Sequence, residues 1–123
     1  MSTSQPTALS SPRLRFTVLG PEHFEAVRRW RSDPEVTRFW ITQDIPDQAA
    51  IERWYARNQA DGALVWAILS EGEPIGYVTL FEVDEVNRKA ELALMIGKRS
   101  AWSHGFAKEA LATVLRHAFT PVE

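Results

Sequence analysis

The feature that most constrains this fold is an apolar strand, then a polar loop containing glycines, then an amphipathic helix. Alternation from Ala90 to Ile96 predicts the strand, and the loop runs from Gly97 to Gly105. Phe106 opens a segment in which apolar residues recur on one helix face, namely Ala107, Ala110, Leu111, Val114, Leu115 and Ala118. A helix start after such a loop offers unpaired backbone N–H groups and the positive end of the helix dipole, which together favour phosphate binding.

The rest of the chain predicts a layered α/β domain with a mixed sheet. Further strands are predicted at residues 14–18, 64–69 and 75–81, and helices are predicted to begin near Gly20, Asp33 and Asp47. Residues 1–12 are rich in Ser, Thr and Pro, so we expect a mobile tail before one domain that spans residues 13–123.

Composition excludes several kinds of site. The net charge of -2 gives no general attraction to nucleic acid or to an anionic membrane. The absence of cysteine excludes disulfides, thiolate zinc sites and a cysteine acyl-enzyme, and the three histidines lack metal-ligand spacing, so no metal is expected. No apolar run has the length of a membrane span, and the N-terminus does not look like a secretory signal. We therefore expect a cytoplasmic protein.

The loop and first helical turn resemble the acetyl-CoA site of the GNAT acyltransferase superfamily. That signature is Gln/Arg-x-x-Gly-x-Gly/Ala, and the six positions here run from Trp102 to Ala107, with Gly105 and Ala107 matching. Trp102 departs at the first position, although the branch that acetylates ribosomal-protein N-termini and polyamines often has an aromatic residue there. Residues 87–92 are similar to that branch too, and the likeness reaches back to Leu14. The resemblance implies a mixed, mainly antiparallel central sheet flanked by helices.

The resemblance also implies where acetyl-CoA, the acyl donor, would bind. Backbone N–H groups of residues 103–107 would hold its pyrophosphate, and basic side chains, Arg99 among them, would add positive charge. The strand end would pair with the pantetheine arm and polarise the thioester carbonyl. The alternatives are a plain strand-to-helix turn, solvated side chains and an ordinary strand end. The cofactor residues implied are Met95, Ile96, Gly97, Lys98, Trp102, Ser103, His104, Gly105, Phe106, Ala107 and Lys108.

Glu91 is the candidate general base. Alternation puts Glu91 on the strand face that also carries Ala93, Met95 and Gly97, where small residues leave room for a ligand. An amine with a pKa near 10.4 is almost wholly protonated at neutral pH, so a base is needed to free its lone pair. The alternative is a structural carboxylate paired with Arg88 or another basic residue.

Weaker candidates concern the amine acceptor. Glu82, Asp84 and Glu85 form an acidic connection before the central strand that could attract a cationic amine, although a solvated loop is the simpler interpretation. Trp40 lies where the family's first loop approaches the acceptor, so the resemblance makes it a candidate substrate contact.

These features favour an N-acetyltransferase that moves an acetyl group from acetyl-CoA to a primary amine, on a small molecule or a peptide, by direct attack. In the family a further strand, helix and hairpin follow the cofactor helix, so the resemblance implies a fold truncated at its C-terminus. The second hypothesis is therefore a non-catalytic acyl-CoA-binding or assembly module that has lost its C-terminal half. An uncovered strand edge would also favour a homo-oligomer or a second chain that completes the sheet.

Overall fold

An antiparallel sheet organises the part of the chain that the structure, a computed structural model, describes: residues 9–37, 47–84, 86–87 and 89–119. Its five strands follow one another in chain order across the sheet. Every neighbouring pair is antiparallel. The strands are β1 (Leu9–Ser10), β2 (Arg15–Val18), β3 (Leu64–Ser70), β4 (Glu73–Asp84) and β5 (Lys89–Ile96).

Helices flank this sheet, which confirms the predicted fold class. They are α1 (Phe24–Arg31), preceded by a 3-10 turn, α2 (Pro34–Thr37), α3 (Gln48–Ala60) and α4 (Phe106–Phe119). Asp47 caps α3 as predicted, because its carboxylate accepts a hydrogen bond from the Ala50 N–H at 2.8 Å. Helix α4 begins at Phe106, where the apolar spacing of the sequence places it. Within the described ranges, no helix is both long and apolar enough to cross a membrane.

Residues 9–12, which fall in the predicted tail, are tied into the fold. Leu9 and Ser10 form β1 and pair with β2. The Ser11 hydroxyl donates to the Glu109 carboxylate of α4 at 2.5 Å, across 98 positions of sequence. A Ser- and Pro-rich composition gives no sign of such a distant contact. Residues 1–8 lie outside the described part of the chain.

Two apolar clusters cover the two faces of the sheet. One contains Phe16, Trp66 and Val78 from the strands, together with Val114 of α4. The other contains residues of α1, α3, β4 and β5, namely Val27, Trp30, Ile51, Tyr77 and Met95. Because strand side chains alternate, β5 serves both clusters, with Leu92, Leu94 and Ile96 packed against the first. The polar loop that follows Ile96 leads to the start of α4 at Phe106.

Candidate functional site

In the loop between β5 and α4, a row of backbone N–H groups has no acceptor within the part of the chain that the structure describes. The Glu109 N–H reaches the Gly105 carbonyl at 3.1 Å and makes the first helical hydrogen bond of α4. Among the described residues, no acceptor is found for the N–H groups from Ser103 to Lys108. These donors, with the positive end of the α4 dipole behind them, provide the chemistry of an anion site.

The backbone of this loop is held in an uncommon conformation. Ser103 has φ of 72° and Gly105 has φ of 77°, both in the left-handed region. That region costs a residue with a Cβ roughly 1–2 kcal/mol, so glycine is the suitable residue at position 105. The rings of His104 and Phe106, the residues on either side of Gly105, stack with their centroids 5.5 Å apart.

A cleft of about 340 Å³ lies between the end of β5 and the start of α4. Leu94 and Ile96 form its strand side, and the unpaired N–H groups begin at its loop side. This cleft brings together many of the residues that the sequence assigns to a cofactor, namely Ile96, Trp102, Ser103, Gly105, Phe106 and Ala107. The cleft lies at the loop and helix start to which the sequence analysis assigns the cofactor.

A neighbouring cleft of about 360 Å³ contains two other predicted residues, Lys98 and His104. Phe106 lines both clefts and therefore stands between them. Lys108 is exposed on the first turn of α4 and lines neither cleft. The predicted cations thus surround the loop without all facing the same space.

Two of the predicted cations already have carboxylate partners. Lys98 Nζ lies 2.5 Å from Glu73 of β4. Arg99 Nε lies 3.0 Å from Asp33, at the connection between α1 and α2. Ion pairs this exposed contribute at most about 1 kcal/mol each, so an anionic ligand could compete for either cation. In this structure, both pairs attach the loop to the rest of the fold.

At the end of β5, successive residues direct their backbone N–H and C=O groups to opposite sides of the strand. The N–H groups of Gly97 and Lys98 both donate to the Ile75 carbonyl, at 2.7 and 3.1 Å. The Met95 carbonyl also faces β4, since a Cβ on Gly76 would overlap it. Alternation in an antiparallel ladder then turns the backbone groups of Leu94 and Ile96 towards the outer edge. Of Met95, Ile96 and Gly97, it is Ile96 that faces the cleft with its backbone.

Gly97 and Trp102 also have structural roles. A Cβ on Gly97 would overlap the Trp30 ring of α1, so glycine is required there for packing. The Trp102 indole N–H donates to the Ile96 carbonyl at 2.8 Å, which leaves the Trp102 side chain as a partly exposed wall of the cleft.

Glu91 is exposed on β5, opposite Phe81 of β4. By alternation its side chain shares the face of Met95, so it does not line the cleft beside Leu94 and Ile96. No hydrogen bond or ion pair joins its carboxylate to another described residue, and Arg88 lies outside the described ranges. The register of β4 and β5 shifts between Phe81 and Asp84, directly beside Glu91.

The acceptor candidates are only partly described. Trp40 and Glu85 lie outside the described residues, and of Glu82 and Asp84 the structure gives the backbone path in β4. On the same face of the sheet as Glu91, Arg31 donates to the buried Tyr77 hydroxyl at 2.8 Å and lies 4.7 Å from the Trp54 ring centroid. Burial raises the pKa of the Tyr77 phenol, and the neighbouring Arg31 works against that rise.

A cluster that the sequence does not predict joins Ser11 and Arg13, which lie between β1 and β2, to Glu109 of α4. The Glu109 carboxylate accepts from the Arg13 Nε at 2.7 Å and from the Arg13 backbone N–H at 3.0 Å. The Ser11 hydroxyl and then the Arg13 groups hold the pKa of Glu109 below its usual value. A glutamate in the first turn of a helix is the one local signal, and it does not identify a partner 96 positions away.

Metal chemistry has no candidate site in the described ranges, because no group of three or more His, Asp or Glu residues is placed to hold an ion. Residues 13–123 match the family model of the acetyltransferase (GNAT) domain. The chain belongs to the GNAT acetyltransferase family. The resemblance seen in the sequence is thereby confirmed.

Among curated proteins, this GNAT domain is 27% identical over 128 residues to the FsC-acetyl coenzyme A-N(2)-transacetylase of Aspergillus fumigatus. The match covers 94% of this chain and 54% of that protein. The GNAT chain therefore spans about half the length of this curated relative.

Solved structures share the fold. A protein from T. thermophilus described as an acetyltransferase is 29% identical, with a TM-score of 0.75 over 92% of this chain and 60% of that one. The spermidine N-acetyltransferase of Vibrio cholerae, solved with CoA and spermine, is 19% identical, with a TM-score of 0.75 over 89% of this chain and 66% of that one. RimL, a ribosomal L7/L12 acetyltransferase solved with coenzyme A, is 15% identical, with a TM-score of 0.71 over 90% and 67%. At these identities the last two show the fold alone.

Proposed function

We propose that this GNAT domain transfers the acetyl group of acetyl-CoA to a primary amine. The observation that carries the proposal is the row of N–H groups from Ser103 to Lys108, which opens beside a cleft bounded by the edge of β5. Pyrophosphate is a suitable ligand for such a row, because each N–H can donate to an oxygen and the helix dipole favours negative charge. Gly105 allows the phosphates to approach the backbone closely.

The pantetheine arm would lie along the outer edge of β5. The backbone groups of Leu94 and Ile96 face that edge, so an extended amide-containing arm could pair with them as a strand does. The carbonyl of Ile96 already accepts from Trp102, so the arm would pair with the remaining edge groups. An N–H of the same edge would polarise the thioester carbonyl.

The chemistry would be a direct displacement. The neutral amine attacks the thioester carbonyl carbon, a C–N bond forms, the C–S bond breaks, and the thiolate takes up a proton. Glu91 is the proposed base that removes a proton from the amine, directly or through water, from the strand face opposite the side chains that line the cleft. Its exposed carboxylate has no partner within the described ranges, so it is available to a cationic acceptor.

A small-molecule or peptide amine is the proposed acceptor class. The names of three relatives with this fold suggest the class: an FsC N(2)-transacetylase, a spermidine N-acetyltransferase and a ribosomal L7/L12 alpha-N-protein acetyltransferase. Glu82 and Asp84 belong to the part of β4 that runs beside the beginning of β5, where Glu91 also lies. Their negative charge would suit a polyamine.

Mass spectrometry of an amine panel tests the proposal. The purified chain is incubated with acetyl-CoA and with spermidine, simple diamines or short peptides that carry a free N-terminus. We expect one class of amine to gain an acetyl group while free thiol appears in equal amount. The same mixtures with CoA in place of acetyl-CoA are the control. Acetyl-CoA that remains intact with every amine would contradict the proposal.

The second candidate is a module that binds acyl-CoA without turnover. The observation that favours it is the placement of Glu91, whose side chain does not line the cleft. Such a module would bind acetyl-CoA in calorimetry and leave the amine panel unmodified. The two experiments together therefore separate the two functions.

A further inference from the structure

Glu109 creates an electrostatic problem for any anion that binds at the start of α4. It lies in the first helical turn, directly after the unpaired N–H groups of residues 103–108. A carboxylate there interacts well with the helix dipole, but it repels a phosphate at the same N-terminus. An anion site at this place needs a means to offset that charge.

Arg13 provides the offset. Its Nε and its backbone N–H both donate to the Glu109 carboxylate, and Ser11 adds a third donor. The Glu109 side chain is 16% exposed and the Arg13 side chain is 48% exposed, so the carboxylate is partly withdrawn from water while the guanidinium remains accessible. The charge of Glu109 is thus neutralised within the fold.

Arg13 also contacts the two residues that shape the loop. Its guanidinium carbon lies 4.6 Å from the centroid of the Phe106 ring, within the range of a cation–π contact. Its Nη2 lies 3.5 Å from the place that a Cβ on Gly105 would occupy. Neither Nη group has an acceptor among the described residues. The guanidinium therefore places positive charge next to Gly105 and Phe106, and its Nη groups could still donate to an anion.

We propose that Arg13 is a positioning residue for a phosphate-binding site formed by the N–H groups of residues 103–108. It offsets the charge of Glu109 and holds Gly105 and Phe106 in the conformation that presents their N–H groups. Ser11 and Arg13 thereby make the connection between β1 and β2 a part of the anion site. The inference rests on the proposed function for the identity of the ligand, coenzyme A, and on the contacts alone for the anion.

A purely structural clamp would behave differently. Its loss would lower stability and weaken every ligand of the domain to a similar degree. Loss of a positioning residue for phosphates should weaken ligands that contain phosphates and spare the pantetheine fragment, which has none. Removal of the Glu109 charge should then compensate for removal of Arg13.

The test measures dissociation constants of coenzyme A, pantetheine and inorganic pyrophosphate for the wild type and three variants. The variants are Arg13→Gln, Glu109→Gln and the double variant. We expect Arg13→Gln to weaken coenzyme A and pyrophosphate about tenfold, as an uncompensated like charge beside the site would do. Pantetheine should be unchanged, and the double variant should recover to within about threefold of the wild type.

A matched control comes from another arginine–glutamate pair. Arg28 and Glu25 on α1 form an exposed pair at 2.7 Å, away from the loop. Arg28→Gln should leave all three dissociation constants unchanged. If Arg13→Gln does not fold, Arg13→Lys keeps the charge but loses the planar contact with Phe106, and we expect intermediate weakening of the phosphate ligands alone.

Each possible outcome either upholds or overturns the inference. Equal weakening of coenzyme A and pantetheine, or a double variant no better than Arg13→Gln, would reduce Arg13 to a structural clamp and overturn the inference. A wild type that binds pyrophosphate in an Arg13-dependent way but not coenzyme A would uphold the inference and contradict the proposed function. A wild type that binds neither would overturn both.

Discussion

In the proposed reaction, Glu91 is the residue on which acetylation of the amine depends most directly. A base contributes roughly a hundredfold to ten-thousandfold to such a step. We expect Glu91→Gln to lower kcat by at least the smaller factor and to leave the dissociation constant of acetyl-CoA nearly unchanged. The loss should shrink at high pH, because there the amine deprotonates without help.

A pH–rate profile of wild type and Glu91→Gln, with calorimetry for the cofactor, measures this. Glu22→Gln is a suitable control, because Glu22 is also an exposed carboxylate but lies on the turn before α1. An unchanged rate at neutral pH would assign Glu91 a structural role.

Gly97 is a residue whose role is set by packing. A Cβ added at Gly97 would overlap Cγ of the buried Trp30, so Gly97→Ala must displace the indole. Overpacking of this kind costs about 1–3 kcal/mol, so we expect a clearly lower melting temperature. Thermal unfolding of Gly97→Ala, alone and combined with Trp30→Leu, checks the contact. The smaller side chain should recover part of the loss, and a melting temperature unaffected by Gly97→Ala would contradict the close approach.

At the scale of elements, the connection between β1 and β2 is fastened to α4 by Glu109. The Ser11 hydroxyl, and then the Arg13 groups, lower the pKa of Glu109 in the folded state. Its contribution to stability is therefore complete above the ordinary glutamate pKa of about 4.3 and is lost as pH falls through the lower, folded-state value. We expect the free energy of unfolding to fall in acid for this reason.

Urea denaturation of the wild type and of Glu109→Gln at pH 7 and at pH 3 measures the contribution. The difference between the two proteins should be largest at pH 7 and should shrink towards pH 3. A difference that is the same at both values would show that the carboxylate charge does not stabilise this junction.

At the scale of the whole molecule, what the sequence predicts depends on how local the physical cause is. Alternation in β5, the apolar spacing of α4 and the Asp47 cap are all set within a few residues, and the structure confirms each of them. The row of free N–H groups at the start of α4 could be anticipated for the same reason, since it requires only the loop and the helix start that follows it.

Contacts between distant segments could not be predicted in this way. Arg13 meets Glu109 across 96 positions, and Arg31 meets Tyr77 across 46. The direction of the backbone groups of Met95 and Ile96 is set by the register between β4 and β5, which alternation within β5 alone does not fix. The family resemblance assigns the cofactor to the loop between β5 and α4, and the register identifies which edge groups of β5 are open.

The central claim, that phosphates of acetyl-CoA bind the N–H groups from Ser103 to Lys108, is tested most directly by titration of Gly105→Val with coenzyme A. A β-branched side chain at φ of 77° disturbs the loop and obstructs close approach of the phosphates. Gly62→Val is the matched control, because Gly62 has φ of 75° at the end of α3 and no atom near its Cβ position. We expect Gly105→Val to weaken coenzyme A at least about tenfold while Gly62→Val binds like the wild type, each variant remaining folded. Equal affinity of Gly105→Val and the wild type would contradict the account.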